Sequence, residues 1–315
     1  SSYFGGAFSD AIYSLAFRKN GNITIAGGTT SSVLFPSGAL PGYTGFQGGR
    51  ADGFVAEISN DGQTVVASTY FGTSEYDQIY FVERDRFENV YVFGQTEDPS
   101  SKLVQNAQYS VPTAGQFVTK FTPSIDSIIW STKFGTPVTT GNATPNISPT
   151  AFLVDLCNSV YLSGWGGTTN SGKGNNSTLV TGMDTTSDAF QATTTGSDLY
   201  LMVLADDASR KIYGSFFGGT FAAEHVDGGT SRFDRKGKIY QAVCAGCPTA
   251  ARPSGSSDFP TKPNPGAVSN QNRANGGCNN AIFKMDFLLP AVVAEFQLPR
   301  TICTNDSILL RNLSL

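Results

Sequence analysis

The feature that most limits what this chain can become is that it repeats itself. The landmarks Tyr3-Phe4-Gly5-Gly6, Tyr70-Phe71-Gly72, Lys133-Phe134-Gly135 and Phe216-Phe217-Gly218-Gly219 recur along its 315 residues. After each comes an alternating apolar run, a turn and a second run. In the first copy these are Ala11 to Phe17, Asn20-Gly21-Asn22, and Ile23 to Gly27. Period-two alternation marks a half-buried strand, and Asn-Gly signals a two-residue hairpin because both residues accept positive φ. The later copies supply Ile79 to Val82 with Asn89 to Gly94, Ala151 to Asp155 with Asn158 to Gly164, and Ser231 to Asp234 with Gly237 to Val243. Each copy then makes an irregular excursion, at 29–52, 96–115, 165–197 and 245–280. It returns on a third strand: Gly53 to Ile58, Gln116 to Phe121, Leu199 to Leu204, and Ala281 to Asp286. A fourth strand runs into the next Phe-Gly.

Four antiparallel strands per repeat, with loops of variable length, predict the blades of a β-propeller. A β-sandwich has no reason to repeat four times. The expected fold class is therefore all-β, with four visible four-stranded blades over residues 1–289, the first strand of each innermost. Propellers have about four to eight blades. Ser1 to Phe4 reads as the last strand of an earlier blade, so further blades are expected in a longer chain. The pattern changes after Asp286. Residues 290–315 read as an exit strand, Ala291 to Phe296, and the truncated start of an immunoglobulin-like sandwich, Thr301 to Ser314.

Composition excludes several functions. Charged residues make up 15% of the chain, the net charge is -4 and no basic stripe exists, which argues against nucleic acid as a partner. No apolar run approaches the length of a membrane span. A single histidine, His225, leaves no Ser-His-Asp triad that could be built without it. Five cysteines in an Asn/Thr-rich, weakly charged chain fit an oxidising, extracellular setting.

The repeats resemble the bacterial β-propeller family with the pattern Tyr-Leu/Phe-Gly-Gly, Asp, Gly-Asn-x-Tyr-x-x-Gly, Phe-Pro and Phe-Val-x-Lys. Phe35-Pro36 and Phe259-Pro260 supply the Phe-Pro element. The second half carries more particular pieces: Leu156-Cys157-Asn158, Ser163-Gly164-Trp165-Gly166-Gly167, Glu224 to Asp234, Cys244-Ala245-Gly246-Cys247, and Cys278 to Lys284. Together these resemble large surface proteins of Bacteroidota. Those carry a propeller, then PKD-type sandwich modules, then a gliding-motility-associated C-terminal domain used by the type IX secretion system. The resemblance implies export to the cell surface, attachment at the outer membrane, contact with the type IX machinery, and no catalytic activity. It also points to O-glycosylation at Asp-Ser/Thr followed by an aliphatic residue or Thr, which Ser127, Thr185 and Ser307 match.

Several residues are candidates for chemistry. Asp10, Asp77, Glu224 and Asp227 fall in or near the loops that open each copy. A ring of carboxylates there could hold Ca²⁺ through oxygen ligands; the alternative is that each caps its own Gly-rich turn. Otherwise no cofactor is implied. Cys278 lies just before the third strand of the last copy, and Cys244 and Cys247 at the end of the second. Neighbouring strand ends favour a disulfide from Cys278 to Cys244 or to Cys247, with Cys247 nearer the excursion. Cys157 has no evident partner, and pairing within the truncated module is open to Cys303. The aromatic residues Tyr43, Phe46 and Trp165 sit among small polar residues in the excursions, where rigid rings suit recognition of a glycan or protein loop. The alternative for Trp165 is packing over a neighbouring blade. The expected function is a non-enzymatic secreted or cell-surface protein that binds a protein or glycan on a surface, as an adhesin or as part of a large surface assembly. The alternatives are a propeller enzyme acting on polysaccharide, which needs two carboxylates facing one pocket, and a structural spacer in a surface filament.

Overall fold

The computed structural model describes residues 3–34, 40–167, 178–227, 231–234, 237–263 and 266–287, and the backbone of Phe296–Gln297 and Arg311–Asn312. The chain divides into two compact units, Ser1–Met285 and Asp286–Leu315. Among the described residues it is all-β, and no helix is long and apolar enough to cross a membrane.

The first unit holds four antiparallel four-stranded sheets. Strands β1 (Asp10–Phe17), β2 (Ile23–Thr29), β3 (Asp52–Ile58) and β4 (Val65–Phe71) pair in chain order. So do β5 (Asp77–Arg84), β6 (Val90–Thr96), β7 (Gln116–Phe121) and β8 (Ile128–Phe134). The third sheet is β9 (Ser148–Val154), β10 (Val160–Trp165), β11 (Leu199–Leu204) and β12 (Lys211–Phe217). The fourth reaches its count differently. Its first strand is interrupted, and β13 (Ala223–His225) and β14 (Ser231–Phe233) both pair with β15 (Ile239–Cys247), whose other edge takes β16 (Asn279–Met285). Tyr3 and Phe4, expected as a strand, belong to none; Phe4 packs its ring on Phe54 at 5.6 Å.

In the second unit β17 (Phe296–Gln297) pairs antiparallel with β18 (Arg311–Asn312). The rest of the expected sandwich start, Cys303 and Ser307 included, lies outside the described residues, as does Phe35-Pro36.

The turns follow a common rule. Between the first and second strands of each sheet, Gly21, Glu88, Asn158 and Gly237 all have positive φ. The first of these turns is not a two-residue hairpin. The Arg18 amide donates to Asn22 O and the Gly21 amide to Arg18 O, so the loop has three residues and only Gly21 is left-handed. Asp85, Asp155 and Asp234 brace the later turns, accepting the amides of Asn89, Ser159 and Lys238.

The core lies between successive sheets. One cluster joins Ala26, Val55 and Phe71 of the first sheet to Ile79, Val82, Val92 and Phe117 of the second. Another joins Tyr91, Phe93 and Phe134 of the second to Phe152, Leu162, Tyr200 and Phe216 of the third. Strands β6, β7, β10 and β11 are buried along their whole length, because each middle sheet is covered on both faces. That removes the alternation expected of half-buried strands. The first strands β1, β5, β9 and β14 are neighbours in turn. A buried Glu57 in β3 accepts from Arg18 Nη1 at 2.8 Å and from Arg84 Nη2 at 2.7 Å, tying the first sheet to the second. On the outward side of the first sheet β1 leaves Leu15 and Phe17 exposed, while Ile25, Phe54 and Tyr70 are buried under Phe4, Leu34 and Phe46; in the last sheet Ile282 is 82% exposed.

Candidate functional site

Antiparallel pairing puts each excursion at the same end of its sheet as the loop leading to the next sheet. At that end the loops are stitched together. Arg50 of the first excursion pairs with Glu97 of the second at 2.5 Å. The Thr136 hydroxyl, after the second sheet, donates to Thr181 O of the third excursion at 2.8 Å. The Phe221 amide, after the third sheet, donates to Asp258 of the fourth at 2.6 Å.

Under this surface each joint between repeats is locked in one way. The amide one residue beyond the Phe-Gly pair donates to a side chain a few residues on: Gly6 to Asp10 at 2.7 Å, Thr73 to Asp77 at 2.6 Å, Thr136 to Asn146 at 2.7 Å, and Gly219 to Glu224 at 3.1 Å. Turn capping is thus what Asp10, Asp77 and Glu224 do. The carboxylate ring expected to hold Ca²⁺ is not assembled: among the described residues no cluster of three or more metal-capable side chains contains any of these three. The physical reason is that each carboxylate is turned down onto its own loop by that loop's amides.

Two joints contain a second acid that sequence reasoning missed. Asp52, the first residue of β3, and Asp198, just before β11, stand at equivalent register, since Gly53 faces Phe71 and Leu199 faces Phe217. Asp52 and Asp77 flank Gly72; Asp198 and Glu224 flank Gly218. A Cβ on Gly218 would lie 2.2 Å from Asp198 Oδ1 and 2.5 Å from Glu224 Oε2. Neither glycine has a left-handed φ, so close approach, not backbone freedom, demands glycine here. All four acids are fully buried. Burial, then the charge of Asp198, pushes Glu224 up to about 8. Burial raises Asp198 as well, Asp52 to about 7 and Asp77 to about 6. Asp198 Oδ1 and Glu224 Oε1 take no hydrogen bond from any other group. A proton held between the two carboxyls accounts for both facts. At the middle joint the same places around Gly135 are filled by the neutral amides Gln116 and Asn146.

Above the Asp198–Glu224 joint the third and fourth excursions leave a cleft of about 300 Å³, open to solvent. Phe190, Gln191, Thr194, Gly218, Asp258 and Pro260 are among its lining residues. Phe190 is 52% exposed and rests on Phe217 at 5.4 Å. The Thr194 hydroxyl and Thr195 amide donate to Asp198, fixing the floor. No protein-family model matches the chain, and no curated protein matches it.

The aromatic residues expected at the surface are mostly elsewhere. Trp165 is 2% exposed and Tyr43 8%, with Tyr43 against Phe71 at 5.0 Å. Phe46 is half-buried against the first-sheet core. Small polar neighbours in sequence say nothing of the sheet a ring falls upon, and these fall upon apolar cores. Tyr43 and Trp165 therefore pack inside the protein; among the described residues the rings exposed at this end include Phe8, Phe190 and Phe221. Of the cysteines, Cys247 and Cys278 form a disulfide, while Cys244 and the exposed Cys157 are free thiols. Among the modification candidates Ser127 is exposed in the β7–β8 turn and Thr185 is half-buried.

Proposed function

We propose that this chain is a rigid recognition scaffold of a secreted or cell-surface protein, holding a protein or glycan by its excursion face without chemistry. The observation that carries the reading is the stitched loop surface with its open cleft and the Phe190 ring at the mouth. An aromatic platform beside an amide, hydroxyls and a carboxylate suits a polar, ring-bearing ligand such as a sugar. The propeller architecture is part of the same proposal. It is supported by four sheets whose first strands adjoin in sequence order and whose cores lie between sheets. The open flanks at Leu15, Phe17 and Ile282 call for cover by a further sheet or another protein. Export by a type IX route, outer-membrane attachment and PKD-type modules rest on the resemblance of the repeats.

A polysaccharide-cleaving enzyme is the weaker reading. Glycosidase carboxyls stand about 5 to 9.5 Å apart with a sugar between them. The acid pairs here crowd one glycine and are sealed from solvent. To test the proposal, Phe190→Ala and Phe221→Ala are compared with the parent for attachment to immobilised glycans and to cell surfaces. Loss of a central aromatic anchor costs about 2 kcal/mol or more, at least a tenfold weakening. Undiminished attachment, with the variants folded, would leave the spacer role standing.

A further inference from the structure

The fourth sheet brings together its only histidine, a free thiol and a carboxylate. His225 in β13 and Cys244 in β15 are direct cross-strand partners. Directly opposed residues share a face, with Cβ atoms about 4.5 to 5.5 Å apart. Asp227 lies two residues past the end of β13. The three meet: His225 Nε2 lies 3.3 Å from Asp227 Oδ2, and Cys244 Sγ lies 3.5 Å from the same oxygen. All three donor atoms fall within 4.8 Å of one another.

These separations are those of a coordination shell. With Zn–N near 2.0 Å, Zn–O near 2.1 Å and Zn–S near 2.3 Å, a tetrahedral arrangement puts N and O about 3.4 Å apart and S and O about 3.6 Å apart. The observed 3.3 and 3.5 Å match both edges. The imidazole is already held. It is buried, Trp165 packs on it with ring centres 5.8 Å apart, and its Nδ1 lies 3.5 Å from Cys247 Sγ. The remote nitrogen therefore has a partner when Nε2 gives its lone pair to a metal. Cys247 and Cys278 are spent in their disulfide, so the sulfur ligand is Cys244. Asp227 is exposed, which leaves the fourth position on the solvent side.

We propose that His225, Asp227 and Cys244 form a zinc site, one ion per chain, with a water completing the tetrahedron. One nitrogen, one oxygen and one sulfur make a borderline-soft set that suits Zn²⁺ and rejects Ca²⁺ or Mg²⁺. Binding replaces the Cys244 S–H bond with a Zn–S bond and releases that proton to solvent. Neutral His225 keeps one proton, on Nδ1. The ion would pin the end of β13 to β15 just before the interruption of that strand.

The test uses the intact, unreduced protein. Equilibrium dialysis against zinc should retain one ion per chain. Cobalt as a substitute should give tetrahedral d–d bands and a thiolate-to-cobalt charge-transfer band. Cys244→Ser should abolish the charge-transfer band and weaken zinc retention at least tenfold, while Cys157→Ser should change neither. On the parent protein, zinc should slow alkylation of Cys244 and leave that of Cys157 unchanged, a readout that needs no variant to fold. No retained zinc, zinc bound equally by Cys244→Ser, or binding only after the disulfide is reduced would each overturn the assignment.

Discussion

Raising the pH from about 5 to about 8.5 should loosen the joints at Gly72 and Gly218, and Glu224→Gln should prevent much of that loosening. Buried carboxyls that keep their protons above pH 4 hold protons the unfolded chain has already shed. Their contribution to stability is therefore whole below the ordinary carboxylate range, about pH 4, and is lost as pH rises through the folded values. For Glu224 that loss runs up to about pH 8, and for Asp52 up to about pH 7. At about 1.4 kcal/mol per pH unit, each group taken alone amounts to about 4 to 5 kcal/mol. The two carboxyls of a pair titrate together, so the total is well below the sum over groups. In Glu224→Gln the side-chain carbonyl keeps the Gly219 amide bond and its amide group donates to an ionised Asp198. Thermal unfolding followed by circular dichroism checks this. Parent and variant should melt alike near pH 5. Near pH 8.5 the variant should melt higher, by about 4 to 10 °C if roughly 2 °C corresponds to 1 kcal/mol in a chain of this size. Coincident melting curves for the two proteins across the pH range would refute the shared-proton account.

Gly218→Ala and Gly72→Ala should each destabilise by about 1 to 3 kcal/mol, because the new methyl meets carboxylate oxygens; Gly45→Ala, with nothing within 4 Å, should be neutral in the same denaturation assay. Trp165→Ala should lower stability by about 3 to 5 kcal/mol as a core truncation, so a melting curve unchanged by it would contradict the burial. Peptide mapping of the unreduced protein should recover Cys247 joined to Cys278, with Cys157 alkylated faster than Cys244; a Cys244–Cys278 peptide would count against the pairing. If the chain is O-glycosylated, exposed Ser127 should carry more of the glycan than half-buried Thr185, as site-resolved mass spectrometry would show.

The strands of the first three repeats and their grouping into fours were legible in the residues, because period-two alternation and turn chemistry are local; the split first strand of the fourth sheet was not. The turns at Gly21 and Gly237 need left-handed backbone, and those between hold Glu88 and Asn158 in the same conformation because an aspartate braces the loop. The pairing of Cys247 with Cys278 was narrowed to two choices by strand order alone.

What only the tertiary structure decided concerns residues brought together across joints. Asp52 and Asp77 are separated by a full hairpin and Asp198 and Glu224 by another, and no local pattern says that both members of a pair press on one glycine. Tyr43 and Trp165 look in sequence like loop aromatic residues, yet each falls on an apolar core beside its loop. His225, Asp227 and Cys244 meet because the pairing of β13 with β15 shifts by one residue between Ala223 and His225, which sets His225 opposite Cys244; without that shift the thiol would turn to the opposite face. Local chemistry selects strands and turns; which side chains share a face, and which acids must share a proton, depends on the stacking of sheets and the loss of water between them.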